Sequence, residues 1–508
     1  MSRTRRYLRG MGVGYAYQLL TLGVGLFLTR FLLERLGAAE YGLWILGMQL
    51  LGWLLLLDVG VIALVPRELA VATGRPEEPD APARLVGFSL RLALLQSVVV
   101  GLASLGLWWL LPSDWEALRP ALGPTLLAFV LLYPLRMLPA LLEGLQDLAW
   151  HSGAQLVGFA LGTATTVGLV LLGHGLVALA WGWIAQQFLG ASLAGLRLVW
   201  RHRSLLPRRF APFAWAEVLG WLRRGVWVSL NQLATVLLTG TDLVLVGKLL
   251  GPEATVAYAC TAKAVGILIH QPRMLVVAAL PGLSQMRAGE SRERLLHVCT
   301  SLAQAILLVS GLLATGVVAA NESFVGLWVG EEKFLGPGIS SLIALNMVLR
   351  HWSNATSMAT FAFGDERRIA LTALADGVVA VALGAVGLLL LGFIGAPLGT
   401  LAGLVLVSLP GHLRALARHA GTSLGELVRP LVPWFWRTGL ALALVAALAA
   451  SWSPGGLLGF LALASAAVLL YAALVGPVAF QGPLASYVRP RWSALLARAS
   501  ASRPEGTP

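Results

Sequence analysis

Apolar residues in this chain come in long runs bounded by arginine, proline or glycine, with neither the alternation of half-buried strands nor the one-sided stripe of soluble helices. Crossing a hydrocarbon core takes about 20 residues as helix. Fourteen runs are long enough: 11–33, 41–65, 85–111, 121–146, 154–173, 176–198, 225–247, 256–281, 296–320, 339–362, 369–393, 396–417, 432–452 and 456–479, numbered here as spans 1 to 14. The pattern predicts an all-α polytopic membrane protein. Span 1 follows Arg3, Arg5 and Arg6, as a signal peptide would, but its apolar core is too long and no convincing cleavage site follows. It is expected to stay in the membrane.

The pattern also repeats. Arg9-Gly10 opens a run that ends in Leu36-Gly37, with Tyr41 after it, and Arg224-Gly225 opens one that ends in Leu250-Gly251, with Tyr258 after it. The offset is about 215 residues, and Gly144-Leu-Gln146 at the end of span 4 recurs about 220 residues later as Gly364-Asp-Glu-Arg367. Six spans per copy make the repeats parallel, related by an axis along the membrane normal. The expected architecture is two six-helix bundles plus spans 13 and 14. The expected divisions are an N-lobe (1–200), an amphipathic linker (201–223), a C-lobe (224–419), and spans 13 and 14 with a tail (420–508). In the linker, Trp215, Val218, Leu219 and Leu222 recur at helical spacing with arginines around them, the pattern of a helix lying on the bilayer surface.

Composition agrees: 57% hydrophobic and 12% charged residues over 508 positions exclude a set of soluble domains. A net charge of +13 would suit nucleic acid if it formed a stripe on a soluble module. Instead the arginines sit in alternate loops: Arg3 to Arg9 before span 1, Arg201 to Arg224 between spans 6 and 7, Arg287 to Arg294 after span 8, Arg367 and Arg368 after span 10, and Arg418 and Arg429 after span 12. The opposite loops are short, and their charges are largely acidic (Asp114, Glu116, Glu322, Glu331, Glu332). The positive-inside rule then puts both termini in the cytoplasm, and an even span count agrees in placing them on the same side. Cys260 and Cys299 lie inside apolar runs and read as small buried residues, not as a disulfide or metal pair.

Three stretches carry a resemblance: LTRFLLERLGAAEYGLW (Leu28 to Trp44), LLLLDVGVIALVPRELA (Leu54 to Ala70), and LLEGLQ closing span 4. They resemble the Wzx-like polysaccharide and oligosaccharide flippases of the multidrug/oligosaccharidyl-lipid/polysaccharide exporter (MOP) superfamily, over spans 1–12. The resemblance implies two bundles around a central cavity and alternating access. It also implies a polyprenyl-pyrophosphate-linked glycan as cargo, moved from the inner to the outer leaflet of the cytoplasmic membrane. Membrane lipid, and the polymerase and glycosyltransferases of the same pathway, are the implied partners.

Charged groups inside the spans supply the chemistry. Arg350 lies about 16 Å along span 10, near the midplane, at 1.5 Å per residue. Lys263 is about 10 Å from the outer end of span 8 on the same rise. Arg136 and Arg91 lie in the inner half of spans 4 and 3, and Arg273 and His270 near the inner end of span 8. An arginine at the bilayer centre costs roughly 2.5–3.5 kcal/mol on insertion scales, so such groups must face protein or water. A hydrated guanidinium or ammonium replaces the water that a lipid pyrophosphate loses on crossing. The alternative is that these cations pair with Asp58, Glu143, Asp242 or Asp376 and lock helices together. Pro134 and Pro139 flank Arg136, Pro272 precedes Arg273 and Pro410 interrupts span 12, each removing a backbone hydrogen bond. Gly395, Gly399 and Gly403, and Gly158 and Gly162, are spaced for close helix packing.

Asp376 follows Thr372 by one turn. In the related lipid II flippases an acid on span 11, with spans 7 and 12, forms a sodium site. The resemblance therefore makes Asp376 and Thr372, with Asn231 or Asp242 and Thr400, the candidates for a coupling cation, although their spacing does not map cleanly. No cofactor is expected, and coupling to Na+ or H+ stays open. The chain has no Walker loop, HExxH, Cys/His spacing or Gly-x-Ser-x-Gly, so no enzyme is expected. Two rival readings stand beside the flippase. A multidrug or cation antiporter of the same superfamily would favour acids over cations at depth. A membrane glycan polymerase or ligase would need catalytic groups in an outward loop, and the longest, 321–338, holds only Glu322, Glu331, Glu332 and Lys333.

Overall fold

The computed structural model describes residues 3–74, 77–78, 80–206, 215–272, 275, 283, 292–361, 363–452, 456–490 and 493, with side chains from residue 12 onward. Backbone groups in lipid must be satisfied within their own segment, and a chain this apolar does so as helix. Among the described residues there is no strand. The helices are α1 (Arg3–Leu54), α2 (Val61–Thr73), α3 (Ala81–Trp109), α4 (Arg119–Leu132), α5 (Met137–Gly144), α6 (Leu148–Leu171), α7 (Leu176–Arg201), α8 (Trp215–Thr239) and α9 (Thr241–Leu249). They continue as α10 (Pro252–Leu268), α11 (Arg292–Val329), α12 (Pro337–Phe361), α13 (Glu366–Leu391), α14 (Gly395–Gly403), α15 (Leu409–Ala420), α16 (Leu424–Val428), α17 (Val432–Ser451) and α18 (Gly456–Ala479). Every one of the fourteen expected spans meets helix.

Breaks fall where backbone chemistry puts them. Span 1 and the first half of span 2 run on as α1, turning at Gly37, whose φ of 80° only glycine adopts freely, and span 2 breaks at Leu55–Asp58 before α2. Span 4 is α4, a tight turn at Tyr133–Arg136 and α5, with Pro134 opening the turn and Pro139 just beyond it. Span 7 is α8 and α9, parted at Gly240. Span 12 is α14 and α15, joined by one π turn at Leu404–Ser408. Pro410 has no N–H for the carbonyl of Leu406, and the widened turn lies directly before it.

The chain divides into two compact units. One comprises 1–236 with 250–256, the other 237–249 with 257–508. The first unit's core joins α2, α3, α5 and α7 through Val65, Leu69, Leu92, Met137, Leu141 and Leu198. Residues 215–223, expected as a surface linker, are the opening turns of α8. Val218 and Trp221 enter this core, while Trp215 and Leu219 stay exposed. Within the same unit α6 and α7 meet along Gly158 and Gly162. A Cβ at Gly162 would lie 2.7 Å from the Gly182 carbonyl oxygen, so no larger residue fits that crossing.

In the second unit α17 and α18 pack on α11. Trp434, Val445, Tyr471 and Val475 are buried there, and the Tyr471 hydroxyl donates to the Leu307 carbonyl at 3.1 Å. The far side of the pair, Trp436, Leu440, Leu458 and Leu469, is exposed as a lipid-facing surface must be. α13 and α14 meet through Gly384 and Gly387 on one helix and Gly395 and Gly399 on the other. A Cβ at Gly399 would strike the backbone of Gly384.

The sequence repeat carries a matching contact in each unit. In the first, the Thr29 and Tyr41 hydroxyls meet at 3.3 Å across the turn at Gly37. In the second, the Tyr258 hydroxyl donates to Asp242 Oδ2 at 3.2 Å across Gly251, where φ is 98°.

Candidate functional site

Each unit holds a polar cluster among its apolar helices. In the first unit the turn at Tyr133–Arg136 directs Arg136 into a cavity of about 80 Å3, lined also by Pro139, His151, Gln155, Gln186 and Gln187. The guanidinium lies 5.2 Å from the centre of the Tyr133 ring, and its Nη1 is buried without a hydrogen-bond partner. Asp58, a nearby acid, is 3% exposed and instead accepts from the Gly60 amide at 2.6 Å, while Gln96 Nε2 donates to the Asp58 carbonyl at 2.5 Å. Among the described residues Arg136 forms no ion pair. His151 faces Glu143 at 3.5 Å and Gln155 at 3.4 Å. The cavity therefore has donors to spare, an arrangement that accepts an anion or water and disfavours a cation.

The second cluster is tied off. Arg350 on α12 pairs with Asp376 on α13 and also reaches the Thr400 carbonyl at 3.4 Å. Ser408 donates to Asp376 Oδ2 at 2.5 Å, and Asn346 donates to the Thr400 hydroxyl at 2.6 Å. Asp376 is fully buried, and its Oδ1 has no partner. The backbone explains the geometry. A Cβ at position 403 would lie 2.5 Å from Asp376 Oδ1, so only glycine admits the carboxylate there. Gly403 and Ser408 are five residues apart, which 3.6 residues per turn would set on different sides of a helix. The π turn between them brings both to Asp376.

The other expected residues are scattered. Lys263 on α10 is half-buried and forms no ion pair among the described residues. Asp242 opens α9 and accepts from the Leu243 amide at 2.9 Å as well as from Tyr258, the habit of a helix-opening acid. Arg91, half-buried on α3, donates through Nε to the Gly87 carbonyl at 3.2 Å. His270 is exposed just past α10, and Asn231 is exposed on α8. Thr372, one turn before Asp376, lines a groove at one end of α13. Arg273 lies outside the described residues.

Sequence reasoning missed a matched pair of aspartates. Asp147 follows Gln146, a non-glycine with φ of 57°, and Asp365 follows Gly364, with φ of 86°. They stand 218 residues apart, at the repeat offset. Asp147 takes Arg197 at 2.7 Å with His202 at 3.7 Å, and Asp365 takes His419 at 2.8 Å and Arg368 at 3.0 Å. Burial raises the Asp147 pKa, but the Arg197 hydrogen bond and charge outweigh it and hold the carboxyl below its ordinary value. Asp365 is held low first by the hydrogen bond from His419, then by Arg368. Burial, with Arg197 and Arg201 nearby, keeps the His202 imidazole below its usual value, so Arg197 meets the Asp147 charge. The available signal was the recurrence of an acid directly after each left-handed turn.

Helix pairs crossing a bilayer in two repeats, broken at proline and glycine with polar groups behind the breaks, define a polytopic membrane protein of transporter architecture. A sequence model of a polysaccharide biosynthesis protein family matches residues 143–333. The fold is shared with solved transporters of the MOP superfamily. The chain is similar to the lipid II flippase MurJ in an inward closed conformation, with a TM-score of 0.62, 12% identity, and 92% of this chain and 98% of that chain covered. It is also similar to a multidrug resistance MATE family transporter in an inward-facing conformation, with a TM-score of 0.57, 13% identity, and 82% of this chain and 98% of that one covered. A third likeness, at a TM-score of 0.51, 15% identity and coverage of 82% and 94%, is to a MOP superfamily transporter from Pyrococcus furiosus described as having a binding pocket of reverse polarity. None of the curated proteins matches the chain in sequence. The family resemblance read from the sequence is thus met by the family match over residues 143–333 and by the fold.

Proposed function

We propose that this protein flips a polyprenyl-pyrophosphate-linked oligosaccharide from the inner to the outer leaflet of the cytoplasmic membrane by alternating access, with both termini in the cytoplasm. The observation that carries the reading is Arg136. A buried guanidinium with a free N–H beside glutamines and a histidine, in a chain of this fold matched to polysaccharide biosynthesis, suits an anionic cargo. Lys263, unpaired among the described residues, is assigned the same role. Arg350 is held by Asp376 and reaches the substrate only when that carboxylate is neutralised, which makes the pair the proposed point of ion coupling. Arg91, His270 and Arg273 are assigned to the inner part of the path.

Proteoliposomes loaded with a fluorescent polyprenyl-pyrophosphate glycan test the reading. Protein-dependent appearance of the glycan to an impermeant lectin is expected, and Arg136→Gln should slow it at least tenfold. A flipping rate no greater than that of protein-free vesicles refutes the proposal. Exchange of an organic cation such as ethidium in the same vesicles would put the antiporter reading in its place.

A further inference from the structure

Near Arg350 the second unit gathers oxygen atoms from three helices. The Asn346 amide comes from α12, the Asp376 carboxylate from α13, and the Thr400 hydroxyl and carbonyl from α14, with the Ser408 hydroxyl at the end of the π turn. Two of these oxygens, Asp376 Oδ1 and Asn346 Oδ1, are buried and accept no hydrogen bond. A carboxylate, an amide oxygen, hydroxyls and a carbonyl beside a break in a span are the ligands that a small, hard cation takes inside a membrane protein. Here the cation among them is a guanidinium. Arg350 gives one N–H to Asp376 and another to the Thr400 carbonyl at 3.4 Å.

The charge of the cluster is already balanced. Among the described residues Arg350 meets one acid, Asp376, and Asp376 meets one base, Arg350. Arg368 on α13 is held by Asp365, and His412 on α15 accepts at Nδ1 from Arg368 Nη1 at 3.3 Å, which takes a neutral imidazole. His351 turns to the Ile269 carbonyl at 2.7 Å. A metal ion added to this set would bury one positive charge in excess. An ion taking the place of the guanidinium would leave Arg350 unpaired inside its span. Of the residues expected beside Asp376, Asp242 is committed to the Leu243 amide and to Tyr258, and Thr372 lines the groove at the end of α13. The sodium ion that the sequence resemblance implies therefore does not fit these residues.

We infer that Arg350 is a built-in replacement for a metal cation: its guanidinium fills the cation site of the second unit, so that the protein takes up no sodium there and works without it, and the same oxygens become a sodium site once the guanidinium is removed. A side chain held by its own backbone needs no ion from solution, and its planar N–H groups reach the carboxylate and the carbonyl together. Removing it leaves a fully buried carboxylate with unpartnered oxygens around it, and a monovalent ion restores the lost charge. Any coupling at this pair then runs through an ion other than sodium. For transport the inference rests on the flippase reading; for binding it stands on the cluster alone.

The test is thermal unfolding of purified full-length protein in sodium chloride and in N-methyl-D-glucamine chloride at equal ionic strength. Wild type and Arg350→Lys should give the same Tm in both salts. Arg350→Ala should gain about 2 °C or more in sodium, as a ligand of the folded state requires. The joint change Arg350→Met with Asp376→Leu removes the carboxylate as well and should lose the sodium effect. A sodium-dependent Tm in wild type overturns the inference, as does an Arg350→Ala protein indifferent to sodium or a joint variant that still responds. Wild type keeps the test decisive if Arg350→Ala does not survive purification. Its glycan flipping in vesicles should run equally fast in the two salts, and flipping that needs sodium overturns the inference. A wild type that flips no glycan in either salt sinks the transport reading alone and leaves the Tm comparison standing.

Discussion

Arg136 and Arg350 carry the same charge inside apolar spans and have opposite expected phenotypes, because Arg350 is paired with an acid and Arg136 forms no ion pair among the described residues. Removing Arg350 strands the fully buried Asp376, a change that costs about 3–5 kcal/mol in comparable buried pairs. Arg350→Ala is expected to lower Tm sharply, and the joint change Arg350→Met with Asp376→Leu to recover much of the loss. A double-mutant cycle by thermal unfolding measures this, and additivity would mean that the pair is not coupled. Arg136→Gln leaves no carboxylate unpaired, so Tm should hold while transport falls. Loss of one charge-assisted bond, about 1.5–3 kcal/mol, corresponds to roughly ten- to a hundredfold in affinity.

Asp147 and Asp365 supply the pH dependence at the same scale. Both carboxyls titrate below their ordinary value of 3.8 in the folded protein, so the stability they add is present above that value and is lost as pH falls through the folded pKa. Tm should be flat near neutrality and drop below about pH 4. In Asp147→Asn with Asp365→Asn, Tm should start lower and change less over that acid range. A parallel drop in both proteins would assign the acid loss to other groups.

Between residue and whole molecule, helix contacts are set by glycine and by the one-sided burial of α17 and α18. Gly399→Leu places a side chain where the Gly384 backbone already lies, and overpacking of this kind costs about 1–3 kcal/mol or more. Separation of α13 from α14 should be visible as a lower Tm and faster proteolysis, whereas Gly439→Leu, with open space at its Cβ position, should behave as wild type. Because Trp434, Val445 and Tyr471 are buried against α11, deletion of 431–480 is expected to destabilise the second unit itself. A deletion variant with unchanged Tm and intact glycan export would show that the pair is a dispensable flank.

For the molecule as a whole, cysteine labelling in intact cells should find 365–368 accessible only from the cytoplasm and 112–120 only from outside; the reverse result would invert the topology. Hydrophobic run length determined where the helical spans lie, because lipid leaves the polar backbone of an apolar run no choice but helix. The two-fold repeat was equally readable, since it lies in local signatures such as the glycine turns at 37 and 251. Left-handed turns at those glycines and the break at Pro134 are local chemistry and could be read from sequence. What the sequence left open was which charge meets which. Arg350 and Asp376 are 26 residues apart on different helices, and Asp147 and Arg197 are 50 apart. Register, the π turn before Pro410 and the absence of a side chain at Gly403 decide those meetings. Each depends on how two helices rotate against one another, and that rotation is fixed by packing along their whole length, which no local pattern of residues encodes.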